Sequence, residues 1–336
     1  MLNQENIILA IESSCDDTSA AVIKNGVVLS NVIESQAVHQ EWGGIVPELA
    51  SRTHQQKIVP VVDLALKKAG ISAQELDAIA FTLGPGLIGS LMVGVSYAKG
   101  MALALDVPVI AVHHMQAHIL AHFIDEPKPN FPFLCLTVSG GHTQIVKVTD
   151  FDKFKVVGAT LDDAAGEAFD KCGKLLGLPY PGGPLLDKLA QKGDKNRFKF
   201  TEPQVGELEF SFSGVKSSFL YFLQKETKLN PNFIEENMED ICASIQERIV
   251  SILIKKLLKA SKKYQIKQLA IAGGVSANSS LRTQLLALEN KGYEVFIPDF
   301  QYCLDNAGMI AQTASFLFEK KVFSTQDVEP KARWSL

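Results

Sequence analysis

"FLCLTVSGGHTQIVKVTD", residues 133 to 150, decides how this chain is read. An apolar run ends in small polar residues, and after a threonine a second β-rich run follows: strand, turn, strand. The same order opens the chain at "IILAIESSCDDTSAAVIKNG", residues 7 to 26. The identity is weak but the architecture repeats. Between the two lies "DEPKPNFP", residues 125 to 132, with three prolines in eight residues, a linker by composition. Two strand–turn–strand units, each opening a domain, predict an α/β protein of two duplicated domains facing a central cleft. The 336 residues suffice for two domains.

The pattern extends in both directions. "KNG" at 24 to 26 predicts a hairpin turn. Residues 48 to 70 have helical apolar spacing and end at Gly70, and "LDAIAFTLGPG" is a strand entering a Gly-Pro-Gly turn. A strand at "VPVIAV" leads into a histidine cluster. In the second half a Gly-Pro loop, "LGLPYPGGP", precedes a helix-rich stretch at 233 to 264. The strand "QLAIAGG" then meets the loop "VSANSS", and Asn306 to Lys320 reads as one more helix. The expected domains are 1–124 and 131–305, with residues 306–336 packing back on the first.

Composition narrows the class. A hydrophobic share of 46% and a charged share of 21% fit a globular protein with a substantial core. The net charge of −4 does not advertise nucleic-acid binding, so an RNA contact needs a local basic patch. Five scattered cysteines and no C-x-x-C pair indicate neither a disulfide framework nor a thiolate zinc knuckle, and a reducing cytoplasm is the simplest location. "GLIGSLMVGVSYAKGMALAL", residues 86 to 105, is apolar. Lys99 and the interrupting Gly89, Gly94 and Gly100 nevertheless make it a closely packed core helix rather than a membrane span.

The chemistry sits in the turns. "ESSCDDTS", "VSGGHT" and "AGGVSANS" each follow an apolar strand, and such turns let backbone N–H groups approach a phosphate. Asp16 and Asp17 lie in the first of them, where an acid would repel a phosphate. They make sense as metal ligands, as water-orienting groups or as proton acceptors, unless they only form an Asx turn. In "AVHHMQAHILAH", His114 and His118 are four apart, on one helix face if the segment is helical, a spacing that can chelate a divalent metal. Met115 stands where a zinc protease of the H-E-x-x-H type carries its general base. Asp305, in "CLDNAGM", reads either as a helix N-cap or as a third metal ligand. Asp170 suits a ligand hydroxyl, whereas Asp162 and Glu167 read as a solvated helix face. The six lysines of "IKKLLKASKKYQIK", residues 254 to 267, read as a solvated face, or else as an RNA phosphate contact.

Taken in order, "IESSCDDTS", "GGIVPELASRTH", "GPGLIGSLMVG", "HHMQAH", "VSGGHTQ", "DDAAGEAFDK", "YPGGP", "FSFSGVKS", "AGGVSAN" and "CLDNAGM" closely resemble the TsaD family of bacterial tRNA N6-adenosine threonylcarbamoyltransferases, formerly labelled glycoproteases. The resemblance implies the two-domain actin/hexokinase/Hsp70-like ATPase fold. It implies transfer of a threonylcarbamoyl group from threonylcarbamoyl-AMP to N6 of the adenosine beside the anticodon, in tRNAs reading codons that start with A. His114, His118 and Asp305 match the family's metal ligands, with Fe2+ the usual ion and Zn2+ the alternative. Thr137, Val138, Ser139, Gly140, Gly141, Asp170, Gly183, Asp187 and Asn278 match its substrate-binding positions. A TsaB-like paralogue and a TsaE-like ATPase are the implied partners, in the cytoplasm and away from membranes. Asp17 stands where many relatives carry Glu. A metalloprotease, a sugar or acetate kinase and an actin-like scaffold are the rival readings; each leaves either the glycine turns or the histidine pair unused.

Overall fold

The computed structural model describes residues 6 to 40 and 42 to 336. Residues 1 to 5, the start of the first expected domain, lie outside the described residues. The chain forms two compact units, residues 1–128 with 298–336, and residues 129–297.

In the first unit, strands β1 (Ile7–Glu12), β2 (Asp17–Lys24), β3 (Val27–Ser35), β4 (Ala78–Gly84) and β5 (Val109–His113) form one sheet in the order β3-β2-β1-β4-β5. β1 runs antiparallel to β2 and β2 to β3, while β4 is parallel to both β1 and β5. The hairpin turn is built by Asn25 (φ 50°) and Gly26 (φ 78°), the left-handed pair that a two-residue connection between right-twisted strands requires. β1 and β4 are buried along their whole length because helices cover both faces of the sheet, which is why they read as unbroken apolar runs. One face packs on α1 (Pro47–Ala69) and α2 (Ile88–Leu105), the other on α3 (His114–Leu120) and α9 (Ala307–Glu319). α1 opens with Pro47 in its first turn and closes on Gly70, whose φ of 68° lets its N–H reach the carbonyls of Leu66 and Lys67. α2 is long and apolar enough to cross a membrane, but Leu91, Gly94, Val95, Ala98 and Ala102 are buried against the sheet and α1, as in a core helix.

The second unit repeats this plan. β6 (Phe133–Val138), β7 (Thr143–Asp150), β8 (Lys153–Ala159), β9 (Gln268–Ala272) and β10 (Glu294–Phe296) are ordered β8-β7-β6-β9-β10. β6, β7 and β8 form an antiparallel meander, and β9 is parallel to β6 and to β10. Strand for strand this is the topology of the first sheet. α4 (Ala165–Leu175), α5 (Gly182–Ala190), α6 (Ser213–Leu229), α7 (Phe233–Tyr264) and α8 (Ser279–Leu286) complete the unit around one apolar cluster.

Three expectations need correction. The second unit ends at Ile297 rather than at Asp305, because Tyr302 is buried with Ile310, Ala314 and the first sheet, drawing residues 298–305 into the first unit. Asp162 is no idle surface acid: its carboxylate accepts from Phe212 N, Ser213 N and the hydroxyls of Ser211 and Ser213, closing the N-terminus of α6. Lys256 is buried, its Nζ donating to the carbonyls of Gly206 and Glu207.

Gly273 ends β9 with φ 86° and ψ 167°, a conformation open only to glycine, and a Cβ there would lie 2.6 Å from Val138 O. Gly273→Ala should therefore destabilise the protein by about 2 kcal/mol or more, measured by denaturant unfolding.

Candidate metal centre and substrate loops

In each unit the chemistry-bearing residues gather where parallel strands end, the edge at which open α/β sheets bind ligands. In the first unit these are the ends of β1, β4 and β5. β5 stops at His113, whose Nδ1 accepts from Met115 N and so starts α3. The next residue, His114, and His118 one turn on share a helix face, with ring centroids 4.7 Å apart and rings perpendicular. Asp305 reaches both: its Oδ1 is 3.1 Å from His118 Nε2 and 3.4 Å from His114 Nε2. It is not the cap of α9; Asn306 is, accepting from Met309 N at 3.0 Å.

The donor set fits a divalent cation. The three residues offer ligand atoms within 4.8 Å of one another. Ligands about 2.0 Å from a tetrahedral ion lie about 3.3 Å apart, close to both Nε2–Oδ1 separations. Two imidazoles and one carboxylate, with further positions open, is a set used for iron and for zinc. Among the described residues, no other group of this kind is present.

One residue that sequence reasoning missed holds the centre. Glu12, at the end of β1, is fully buried, and its Oε2 is 3.1 Å from His114 Nδ1. It also accepts from Ser14 N and from the Thr82 hydroxyl, both at 2.5 Å. A carboxylate on Nδ1 places the proton there and leaves Nε2 free to ligate. His118 has no such partner: its Nδ1 is buried without a hydrogen bond among the described residues. Burial pushes His114 toward its neutral form, but Asp305 and Glu12 outweigh burial and raise its pKa well above the ordinary value. Burial likewise pushes the two carboxyls up, and the His114 charge outweighs it, holding both below the usual range. The pocket is thus tuned to hold a positive charge, which a metal can supply in the proton's place.

Asp16 and Asp17 are not ligands of this group. Asp16 is half-buried in the turn after β1, and Asp17 begins β2. Burial pushes the Asp17 carboxyl up to about 7, against a hydrogen bond from Ser35, with Asp305 and Asp16 adding repulsion. The turn is pinned from behind, where Cys15 O accepts from His54 Nε2 at 3.0 Å and from Ser90 Oγ at 3.1 Å. Gly86 is obligatory beside it, since a Cβ would lie 2.5 Å from Ser14 O.

In the second unit the turns after β6 and β9 come together. Thr137 and Val138 are buried at the end of β6, and Ser139 N donates to His142 O, which closes the turn and leaves Gly140 and Gly141 exposed. The N-terminus of α4 abuts this turn so closely that a Cβ on Gly166 would lie 2.6 Å from Ser139 O. Asp170 accepts from Gly183 N at 2.9 Å, joining α4 to α5. Asp187 accepts from Ser279 N and Oγ, and Asn278 caps α8 through Leu281 N, its amide donating to Gln246. Several of the expected substrate positions thus also brace the loops that present the glycines.

Solved structures with the same architecture define the class. HypF, in a phosphate- and nucleotide-bound form, superposes with a TM-score of 0.63 at 14% identity, over 96% of this chain and 48% of that one. Component A of the Acidaminococcus fermentans (R)-2-hydroxyglutaryl-CoA dehydratase gives 0.58 at 16% identity, over 94% and 98%. At such identities the likeness is one of fold, and the fold is the actin/hexokinase/Hsp70-like ATPase fold. A family profile, "TsaD: tRNA N6-adenosine threonylcarbamoyltransferase", matches residues 27–312. Proteins so named are 58% identical in Christiangramia forsetii, over 99% of both chains, and 54% identical in Riemerella anatipestifer, also over 99% of both. The chain belongs to the TsaD family and is an acyltransferase of tRNA modification.

His114→Ala and Asp305→Ala should each abolish stoichiometric metal binding, read by elemental analysis of purified protein. Glu12→Gln should retain the site but weaken metal affinity 10- to 100-fold, the usual worth of such a partner. Because Asp17 holds its proton more tightly folded than unfolded, its contribution to stability is complete below about pH 4 and lost as pH rises through 7. Asp17→Asn should therefore gain on wild type in melting temperature between pH 5 and pH 8, measured in chelator-treated protein.

Proposed function

We propose that the chain transfers a threonylcarbamoyl group from threonylcarbamoyl-AMP to N6 of the adenosine next to the anticodon, in tRNAs reading codons that start with A. The observation that carries this reading is the convergence of His114, His118 and Asp305 in a member of this family. His114, His118 and Asp305 would hold one divalent ion, iron, with zinc the alternative, and such an ion would supply Lewis-acid polarisation of the carbamate carbonyl. The Thr137–Gly141 turn, Asp170, Gly183, Asp187 and Asn278 bind the adenylate, with N–H groups at Gly140 and Gly141 free for its phosphate.

N6 attacks the carbamate carbon, the C–O bond to phosphate breaks, and AMP leaves with the electron pair. The N6 proton passes to the carboxylate of Asp16 or Asp17. A carboxyl held near 7 suits a general base at neutral pH, which supports Asp17. An exocyclic amine is a poor nucleophile, so positioning supplies much of the rate. The reaction takes place in the cytoplasm with a TsaB-like paralogue and a TsaE-like ATPase. An apolar outer face on α1 and α2, with Val59, Met92 and Leu103 exposed, offers the paralogue a place to dock.

Supplied with threonylcarbamoyl-AMP, tRNA and both partners, the protein should yield N6-threonylcarbamoyladenosine by nucleoside mass spectrometry, and the chain alone should yield little. Asp16→Asn and Asp17→Asn should keep the adenylate affinity, while single-turnover transfer falls about a hundredfold in the variant that loses the proton acceptor. Near-native transfer in both would remove these acids from the chemistry.

A further inference from the structure

A protein of net charge −4 that acts on tRNA needs a local cationic surface, and the lysine run at 254–267 supplies only part of one. Lys263 is paired with Glu207 at 2.5 Å, Lys255 with Glu202 at 2.6 Å, and Lys256 is buried on carbonyls. The unpaired Lys259 and Lys262 lie with the paired Arg248 and Lys255 along one face of α7. Arg248, Ser251, Lys255, Lys259 and Lys262 follow at spacings of three and four residues, which aligns them over roughly 21 Å of helix. Two concavities open on this face and meet at Ser251. One, of 260 Å³, is lined by Lys195, Lys199 and Arg248; the other, of 430 Å³, by Lys255, Lys259 and Lys262. The acid in their lining, Glu247, is engaged by Lys195 and Gln284, and Glu202, outside the lining, is engaged by Lys255 with Arg248 at 3.6 Å. Lys199, Lys259 and Lys262 make no ion pair among the described residues, and Arg248 Nε is buried without a hydrogen bond. The floor is kept in place by Ser244, which accepts from Phe198 N and donates to Asp194 O, tying the Lys195–Lys199 segment to α7.

We propose that this trough binds the sugar-phosphate backbone of the tRNA substrate. A continuous row of cations longer than any small anion matches a polyanion with regularly spaced charges, and flexible lysines suit phosphates read without regard to sequence. The proposal rests on tRNA being the substrate, and it is separable from the chemistry because none of these residues belongs to the metal centre or the glycine loops.

The test is a triple variant, Lys199→Gln with Lys259→Gln and Lys262→Gln, beside the same three changed to Arg. tRNA affinity is measured by anisotropy from low to physiological salt. The Gln triple should bind about tenfold more weakly at 0.1 M salt, and its slope of log affinity against log salt should fall by about two to three. Its transfer rate at saturating tRNA should be unchanged, and the Arg triple should bind as wild type does. Wild-type affinity and slope in the Gln triple would overturn the proposal. So would a loss shared by the Arg triple, or a loss of binding to polyglutamate with tRNA affinity intact, which would assign the trough to an acidic protein. Formation of the modified nucleoside reports the reaction independently, so the two readings fail separately.

Discussion

The first unit is organised around a buried negative charge. Glu12 ends a strand whose other residues are all apolar, and it is fully removed from water. An unpaired carboxylate in that position would cost several kcal/mol. It is stabilised by Ser14 N, the Thr82 hydroxyl and His114, which belong to the ends of three parallel strands. The register of β1 with β4 and of β4 with β5 brings those ends to one edge, and the need to satisfy Glu12 fixes how they meet. His114 is thereby aimed at Asp305, and a cation site follows.

The same scaffold is used twice with different chemistry at the strand ends. After β1 the turn carries acids and is pressed against Gly86; after β6 it carries glycines and is pressed against Gly166. An acidic turn beside a cation pocket can accept protons, and a glycine turn beside a helix N-terminus can bind phosphate. The repeated sheet offers two equivalent edges, and the residues of a few turns give each edge a different chemical character.

The C-terminal segment acts on the metal centre mechanically. Lys331 N donates to Leu83 O, and Trp334 packs on His113 with ring centroids 4.5 Å apart. His113 caps the short helix that carries His114 and His118, so the tail braces that helix at its N-cap. A helix of seven residues has little stability of its own and keeps its geometry through such contacts.

The sequence by itself determined the repeat, the Asn25–Gly26 hairpin, the α1 stop at Gly70 and the spacing of His114 and His118. Each is a local property: alternating or unbroken apolar runs, a positive φ that glycine supplies, a helical period. Tertiary structure decided what depends on residues far apart in the chain. Glu12 stood unremarked at the head of the turn "ESSCDDTS", and only the pairing of β1 with β4, and of β4 with β5, placed it on His114, 102 residues away. Asp305 had two local readings, cap or ligand, and Asn306 took the cap. Asp162 lay in an acidic stretch, and its role as the cap of α6 appeared once Ser211 and Ser213 were folded back onto it. The lysines at 254–267 were alike in sequence, and the fold separated them by setting Glu202 and Glu207 against some and not others. Burial and charge pairing are sums over neighbours in space, and the order of residues does not list those neighbours.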